Sequence, residues 1–266
     1  MPNKIVGILN VTPDSFSDGG SFLSAKDAIL QASRIIADGA DLIDVGADST
    51  RPGSQCVTEK VEWERLAPFV DQLSEIGQWS IDTHSVFVAR NAIKNGAIII
   101  NDVSGGSLKM MELAADKGVK LICMYSRSIG DPHSITMQKS PETEQELLDN
   151  IEKFFEQKLK LASQIGLKDS NIIFDPGMGS FVSDNPEHSF CILKNLKRFL
   201  SYSDLLVGIS RKGFLKSLNV DSFQERDWVG SAISFAISKF NNTYKDIYWR
   251  VHNVPIQKAV FNLISV

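Results

Sequence analysis

The chain has 266 residues, 43% of them hydrophobic and 23% charged, with a formal net charge of -4, the range of one large domain with a well-filled core. Its basic residues are dispersed, which excludes an electrostatic footprint for nucleic acid or for a membrane surface, and no run of about 18 apolar residues reaches membrane-spanning length. The first four residues lead straight into an apolar strand without a signal-peptide pattern, and the three cysteines lack CxxC spacing, so a cytoplasmic protein with buried structural thiols is expected.

Short β-branched runs alternate with longer stretches of helical periodicity from the start, with no linker or composition shift. Residues 5–11, 42–47, 79–83 and 98–102 read as buried strands, apolar on both faces as parallel strands are. Residues 120–125, 171–176, 205–210 and 246–252 complete the series. Eight strand-helix units of about 30 residues each predict an α/β fold, a (β/α)8 TIM barrel in a single domain over residues 1–266. A doubly wound open sheet is the alternative that alternates in the same way.

Polar residues fall at the ends of these strands. Asn10 ends the first, Asp44 and Asp48 the second, Asp82 the third, Asn101 and Asp102 the fourth, Asp175 the sixth, Ser210-Arg211-Lys212 the seventh and Arg250 with His252 the eighth. A parallel barrel delivers all these ends to one rim, where such folds build their sites. Any single Asp or Asn reads as a turn or cap residue. Seven strands sharing the feature point to a site instead, because charge buried without a partner costs several kcal/mol.

The first loop, residues 12–20, is rich in turn formers but carries Phe16, either packed under its own loop or closing over a ligand. The second, residues 48–53, joins Arg51 to a Pro52-Gly53 turn that holds a guanidinium near the rim, where an anion is the natural guest. Ser210-Arg211-Lys212 and Arg250-Val251-His252 add cations from strands seven and eight, where barrels often hold phosphate. Asp82 and Asp175 suit a partner that donates several hydrogen bonds or develops positive charge.

The stretch Gly7-Ile8-Leu9-Asn10-Val11-Thr12-Pro13-Asp14-Ser15-Phe16-Ser17-Asp18-Gly19-Gly20 resembles the signature of the dihydropteroate synthase family. Ser49-Thr50-Arg51-Pro52-Gly53 resembles its second signature, and Ser80-Ile81-Asp82-Thr83, Ile100-Asn101-Asp102, Asp175-Pro176-Gly177, Ser210-Arg211-Lys212 and Arg250-Val251-His252 follow in family order. The resemblance implies a transferase of folate biosynthesis that joins para-aminobenzoate to a dihydropterin pyrophosphate. It assigns the pterin pocket to Asp82, Asn101, Asp175 and Lys212, and the pyrophosphate to Asn10, Arg250 and His252 with Ser210 nearby. Asn10 would also help to ligate Mg²⁺, a hard ion that takes oxygen ligands alongside substrate phosphates. Phe16, Thr50, Arg51 and Pro52 would order around the reacting groups, with catalytic roles for Asp82, Lys212, Arg51 and Thr50. It further implies a homodimer formed through the late helices.

Departures from the family text lie at Ser180, where an aromatic is usual, at Gly213 in place of Ser, at Tyr125 in place of His, at Asn253 in place of Asp and at Asp48 in place of Glu. Ser180 and Gly213 fall on the para-aminobenzoate side by resemblance, and the expectation is altered sulfonamide affinity with Phe181 compensating. His84, His133 and His188 are expected to be solvated or capping groups. Phe235, Phe240 and Phe261 read as core residues before they read as a subunit patch. Two other readings remain at this stage: a non-catalytic synthase-like accessory protein, and a pterin-dependent methyltransferase, which would have no need of the Thr50-Arg51-Pro52-Gly53 loop or of the Arg250 and His252 pair.

Overall fold

The computed structural model describes residues 3–11, 25–47, 57–129, 136–137, 143–239 and 244–265. Its strands are β1 (Asn3–Asn10), β2 (Leu42–Gly46), β3 (Trp79–Asp82), β4 (Ile99–Asp102), β5 (Lys120–Met124), β6 (Ser128–Ile129), β7 (Thr136–Met137), β8 (Ile172–Asp175), β9 (Asp204–Val207) and β10 (Ile247–Val251). All but β6 and β7 pair in parallel and close into a barrel in the order β1-β10-β9-β8-β5-β4-β3-β2, which removes every sheet edge from the main core. The open-sheet alternative is thereby excluded. The antiparallel ladder of β6 with β7 is unheralded in the sequence, because two residues per strand are too few for alternation to show. The seventh barrel strand, β9, stops at Val207, short of the expected Ser210. Residues 208–212 are a loop in which Arg211 takes a left-handed φ of 61°, a conformation that ends a strand for any residue with a Cβ.

Helices α1 (Ala25–Ala37), α2 (Glu59–Leu66), α3 (Val70–Ile76), α4 (Val86–Lys94), α5 (Leu108–Lys117), α6 (Glu144–Ile165), α7 (Pro186–Lys194), α8 (Leu196–Phe199), α9 (Phe223–Lys239) and α10 (Val254–Asn262) surround the barrel. At the rim end, Thr58, Ser85, Ser107, Thr143, Asn185 and Asn253 each accept a backbone N–H from the helix they precede, which satisfies donors a helix start leaves open. At the opposite end Gly118 and Gly166 close α5 and α6 in the left-handed conformation. The chain thus marks its two faces chemically, with polar caps on one and glycine on the other.

Two apolar clusters follow from the period-two alternation of the strands. One side of each strand packs outward under the helices, with Trp79, Trp249, Phe174 and Ile43 fully buried there. Phe174 of β8 lies flat on Phe155 of α6, ring centroids 4.0 Å apart, while Phe199 meets the same ring edge-on at 5.7 Å. The other side points into the bore, where Val6, Leu42, Ile99, Ile122, Ile173, Leu206 and Tyr248 form a separate layer. Below it, Lys120 Nζ lies 3.7 Å from Asp204 and 3.4 Å from Tyr248 Oη, closing the floor.

Level partners run from Asn10 through Gly46, Asp82, Asn101, Ile122 and Ile173 to Asp204, and the next residue, Leu205, is level with Ile247 and so with Asn3. That circuit returns to β1 one step below Asn3, eight residues below Asn10 where it began, the shear of a tilted eight-stranded barrel filled by side chains. The same parity that sends the apolar layer inward sends Asn10, Asp44, Asp82, Asn101, Asp175 and Arg250 into the bore above it.

Gly177 anchors one wall of that upper region. It sits at φ 70°, and a Cβ there would collide with the Tyr125 carbonyl oxygen, while its N–H donates to Asp175 Oδ1 at 2.8 Å. Gly177→Ala is expected to lower stability by about 1–3 kcal/mol and to displace the Asp175 loop. Chemical denaturation measures the loss, and an unchanged midpoint would contradict the argument.

Candidate active site

Arg250 stands at the centre of the rim. Its Nε donates to Asp44 Oδ2 at 2.6 Å and its Nη2 to Asp82 Oδ2 at 2.7 Å. Asp44, 1% exposed, also accepts from Ser80 Oγ at 2.6 Å and from Asn101 Nδ2 at 2.9 Å. One carboxylate therefore organises strands β2, β3, β4 and β10 through hydrogen bonds of which the Arg250 one is charge-assisted and strong. Burial disfavours the Arg250 charge, yet Asp44 and Asp82 beside it outweigh that and hold its pKa above the ordinary arginine value. With its NH₂ given to Asp44, Asn101 keeps its amide oxygen as the end left for a ligand.

Asp175 and Lys212 form the second half of the site, on the Arg250 flank. Burial raises the Asp175 pKa against the opposing pull of Lys212, the Gly177 N–H and Arg250. Burial likewise lowers Lys212 to about 8, although the Asp175 charge acts in the other direction. For both members desolvation is the largest influence, so burial penalises each charge and hydrogen bonds from a ligand would offset that penalty. Lys212 Nζ donates to the Met178 carbonyl at 3.1 Å and lies 4.8 Å from the centre of the Phe181 ring, a cation–π contact. Met124, buried and level with Asp175 across the β5 and β8 pair, shares the inward parity of Ile122 and gives the bore an apolar shelf beside these charges.

Of the residues expected at the rim, Asp82, Asn101 and Arg250 are thus joined through Asp44, Asp175 and Lys212 lie within electrostatic reach of Arg250, and Asn10 ends β1 level with Gly46, which is itself level with Asp82. Ser210 and His252 adjoin, with Ser210 Oγ 3.0 Å from His252 Nδ1. Phe16, Thr50, Arg51 and Pro52, like Asp48, Cys56, His133 and Phe240, lie outside the described residues. Arg211, expected among the cations for an anion, is occupied elsewhere: its guanidinium grips Asp227 of α9, with Nη2 to Oδ2 at 2.8 Å. Its left-handed backbone turns it away from the neighbouring strand ends. Asp102, also expected at the rim, has outward parity and accepts from Ser104 N–H, Ser104 Oγ and Gly106 N–H, so it caps its own turn. His188, expected to be solvated or capping, is 8% exposed inside α7.

The departures from the family text resolve into local packing. Tyr125 points outward, its ring 5.7 Å edge-on from Phe154 of α6, so the replaced histidine position lies outside the bore. Asn253 accepts from Ile256 N–H, a cap that an Asp would make equally well. A Cβ on Gly213 would meet nothing within 4 Å. Phe181, next to Ser180, brings an aromatic face back to the site through its contact with Lys212. Phe235 and Phe261 are half-buried, the latter 6.5 Å from Trp249.

Sequence reasoning missed the hub role of Asp44, the support from Ser80 and Asp227, and Met124. The available signal for Asp44 was a carboxylate inside Leu42-Ile43-Asp44-Val45, a strand buried at every position, which demands a partner of opposite charge.

Comparison with known proteins accords with this geometry. Residues 6–240 match the family model described as pterin binding enzyme. The chain is 35% identical to the dihydropteroate synthase of Bacillus subtilis over 242 residues, 88% of this chain and 80% of that one. It is also 35% identical to that of Streptococcus pyogenes over 270 residues, 98% of this chain and 94% of that one. The crystal structure of dihydropteroate synthase from Anaplasma phagocytophilum with bound 6-hydroxymethylpterin-monophosphate superposes with a TM-score of 0.86 at 31% identity, covering 100% of this chain and 99% of that one.

Two outcomes test the electrostatics. Asp44→Ala leaves Arg250 with Asp82 alone and takes the acceptor from Asn101 and Ser80, and a stability loss of about 3–5 kcal/mol is expected. A loss below that of an ordinary surface substitution would remove Asp44 from its central place. Lys212 should react with an amine-selective label with a midpoint near pH 8, followed peptide by peptide by mass spectrometry. A midpoint in the ordinary lysine range would show that burial does not govern it.

Proposed function

The chain belongs to the family of pterin binding enzymes, and we infer on that premise that its rim carries out the dihydropteroate synthase reaction, a transfer of folate biosynthesis that joins para-aminobenzoate to 6-hydroxymethyl-7,8-dihydropterin pyrophosphate and releases pyrophosphate. The observation that carries this reading is the convergence of Asp82, Asn101 and Arg250, joined through Asp44, with Asp175 and Lys212 within electrostatic reach of Arg250. Residues 1–266 act as one such barrel.

Asp175 accepts hydrogen bonds from the pyrimidine-ring nitrogens of the pterin, and this favours the carboxylate that burial alone penalises. Lys212 meets the ring carbonyl and Asn101 adds its amide oxygen. Arg250, His252, Ser210 and Asn10 face the diphosphate. When the pyrophosphate departs, the methylene left behind is cationic, and Asp82, held in place by Arg250, stabilises charge as it develops there. The arylamine nitrogen is uncharged and already nucleophilic at neutral pH, so no protein nucleophile is required and positioning supplies the remaining rate. Thr50, Arg51, Pro52 and Phe16 order around the reacting groups.

Mg²⁺ fits the donors available. Asn10 offers a hard, neutral amide oxygen, and no trio of His, Cys, Asp or Glu side chains able to hold a metal occurs among the described residues, so an ion here would complete its shell with phosphate oxygens and water. Bound there, it would neutralise charge on the leaving group.

The reading includes a homodimer. What supports it is the distribution of α9, whose inner face carries Gly230, Ser231, Ser234 and Ser238 while Trp228 is 53% exposed on the outer one, the reverse of an ordinary surface helix. No helix among the described residues is long and apolar enough to cross a membrane. A cytoplasmic setting agrees with Cys123 and Cys191 standing as buried free thiols, and the net charge of -4 gives no reason to expect a nucleic-acid partner.

Purified protein with Mg²⁺, dihydropterin pyrophosphate and para-aminobenzoate should release pyrophosphate and form dihydropteroate, and no product with all three present would overturn the assignment. Asp175→Ala should lose pterin binding in calorimetry. Arg51→Ala should keep it and slow coupling about 10²-fold, so equal loss of pterin affinity in both would contradict the division of roles.

A further inference from the structure

Ser210 Oγ is the meeting point of three groups. It lies 3.2 Å from Asp227 Oδ1, 3.0 Å from His252 Nδ1 and 3.2 Å from the His252 backbone nitrogen. Asp227 belongs to α9, outside the barrel wall, and its side chain is only 2% exposed. The same carboxylate takes Arg211 Nε at 3.1 Å to each oxygen and Nη2 at 2.8 Å to Oδ2.

A hydroxyl carries one proton and two acceptor sites. Asp227, the anionic half of an ion pair, only accepts, so the Ser210 proton is directed at it. The His252 backbone N–H only donates, and it occupies one Ser210 lone pair. The remaining lone pair faces His252 Nδ1, and that contact is a hydrogen bond only when the imidazole donates. We propose that Asp227 is a positioning residue that acts through Ser210 to keep the His252 proton on Nδ1. The neutral ring then carries no proton on Nε2, and only the imidazolium presents an Nε2–H. This second step rests on the reading of His252 as a diphosphate-facing group: an anion is met by the cationic ring and repelled by the lone pair of the neutral one. Which ring nitrogen carries the proton is set by the partner of the other, and here that partner's own proton is committed elsewhere.

Nitrogen-15 NMR of ring-labelled histidine, recorded on the ligand-free protein at a pH where the ring is neutral, tests the first step without reference to any substrate. Wild type should show Nδ1–H. In Asp227→Asn the amide oxygen stays with Arg211 and the NH₂ donates to Ser210, which turns the hydroxyl proton toward Nδ1, so the signal should move to Nε2–H. Ser210→Ala leaves the Asp227 and Arg211 pair intact and removes the acceptor, so Nδ1–H should be lost there too, in a variant whose fold is not at risk from an orphaned Arg211. Nε2–H in wild type, or Nδ1–H persisting in both variants, would overturn the proposal. Inorganic pyrophosphate added to wild type should protonate both ring nitrogens. A ring that stays neutral while Nδ1–H is intact would support the positioning role of Asp227 and count against the diphosphate reading.

Discussion

Arg250 projects into the bore of a closed barrel, where a guanidinium without partners would cost several kcal/mol. Asp44 and Asp82 answer it from two neighbouring strands at 2.6 and 2.7 Å. Asp44 in turn is answered by Ser80 and Asn101. Charge balance around one side chain therefore sets the positions of its rim neighbours. Asn101 is aimed because Asp44 needs its NH₂, and Asp82 is aimed because Arg250 needs a second carboxylate. Local strength matters here because each of these bonds has a low-dielectric surrounding in which a missing partner is expensive.

Parity separates the work of fold and site along the same strands. In β8, Ile172 and Phe174 pack under the helices, while Ile173 fills the bore and Asp175 stands above it. In β10, Trp249 anchors the outer layer while Tyr248 and Arg250 face inward. A one-residue slip of either strand would exchange an aromatic anchor for a charge on both sides of the wall. The register thus holds the chemistry in place with the same energy that holds the barrel together.

Much of this was legible from the chain. Eight apolar runs, seven of them with polar ends, imply a rim, and the strands fall where those runs lie. What stayed hidden depends on backbone turns and on partners distant in sequence. Ser210-Arg211-Lys212 reads as three rim groups in a row, yet a left-handed turn at Arg211 sends the middle one to α9, and nothing in the letters shows a positive φ at a residue other than glycine. Asp102 and Asn101 are neighbours with opposite fates because a strand alternates. Tyr125 stands where the family has His, and its position one step past Met124 places it on the outer face. Asp227 gives no signal, because it lies on a helix otherwise concerned with packing.

The closed floor has its own consequence. Lys120 and Asp204 plug one end of the bore beneath a layer of seven apolar and aromatic side chains, Tyr248 among them, which makes the chamber above a cul-de-sac. Among the described residues that chamber opens at the rim end, so whichever molecule settles deepest arrives first and departs last. On the proposed function, a heterocycle seated on Asp175 would be walled in by its co-reactant, and the order of traffic would follow from the architecture.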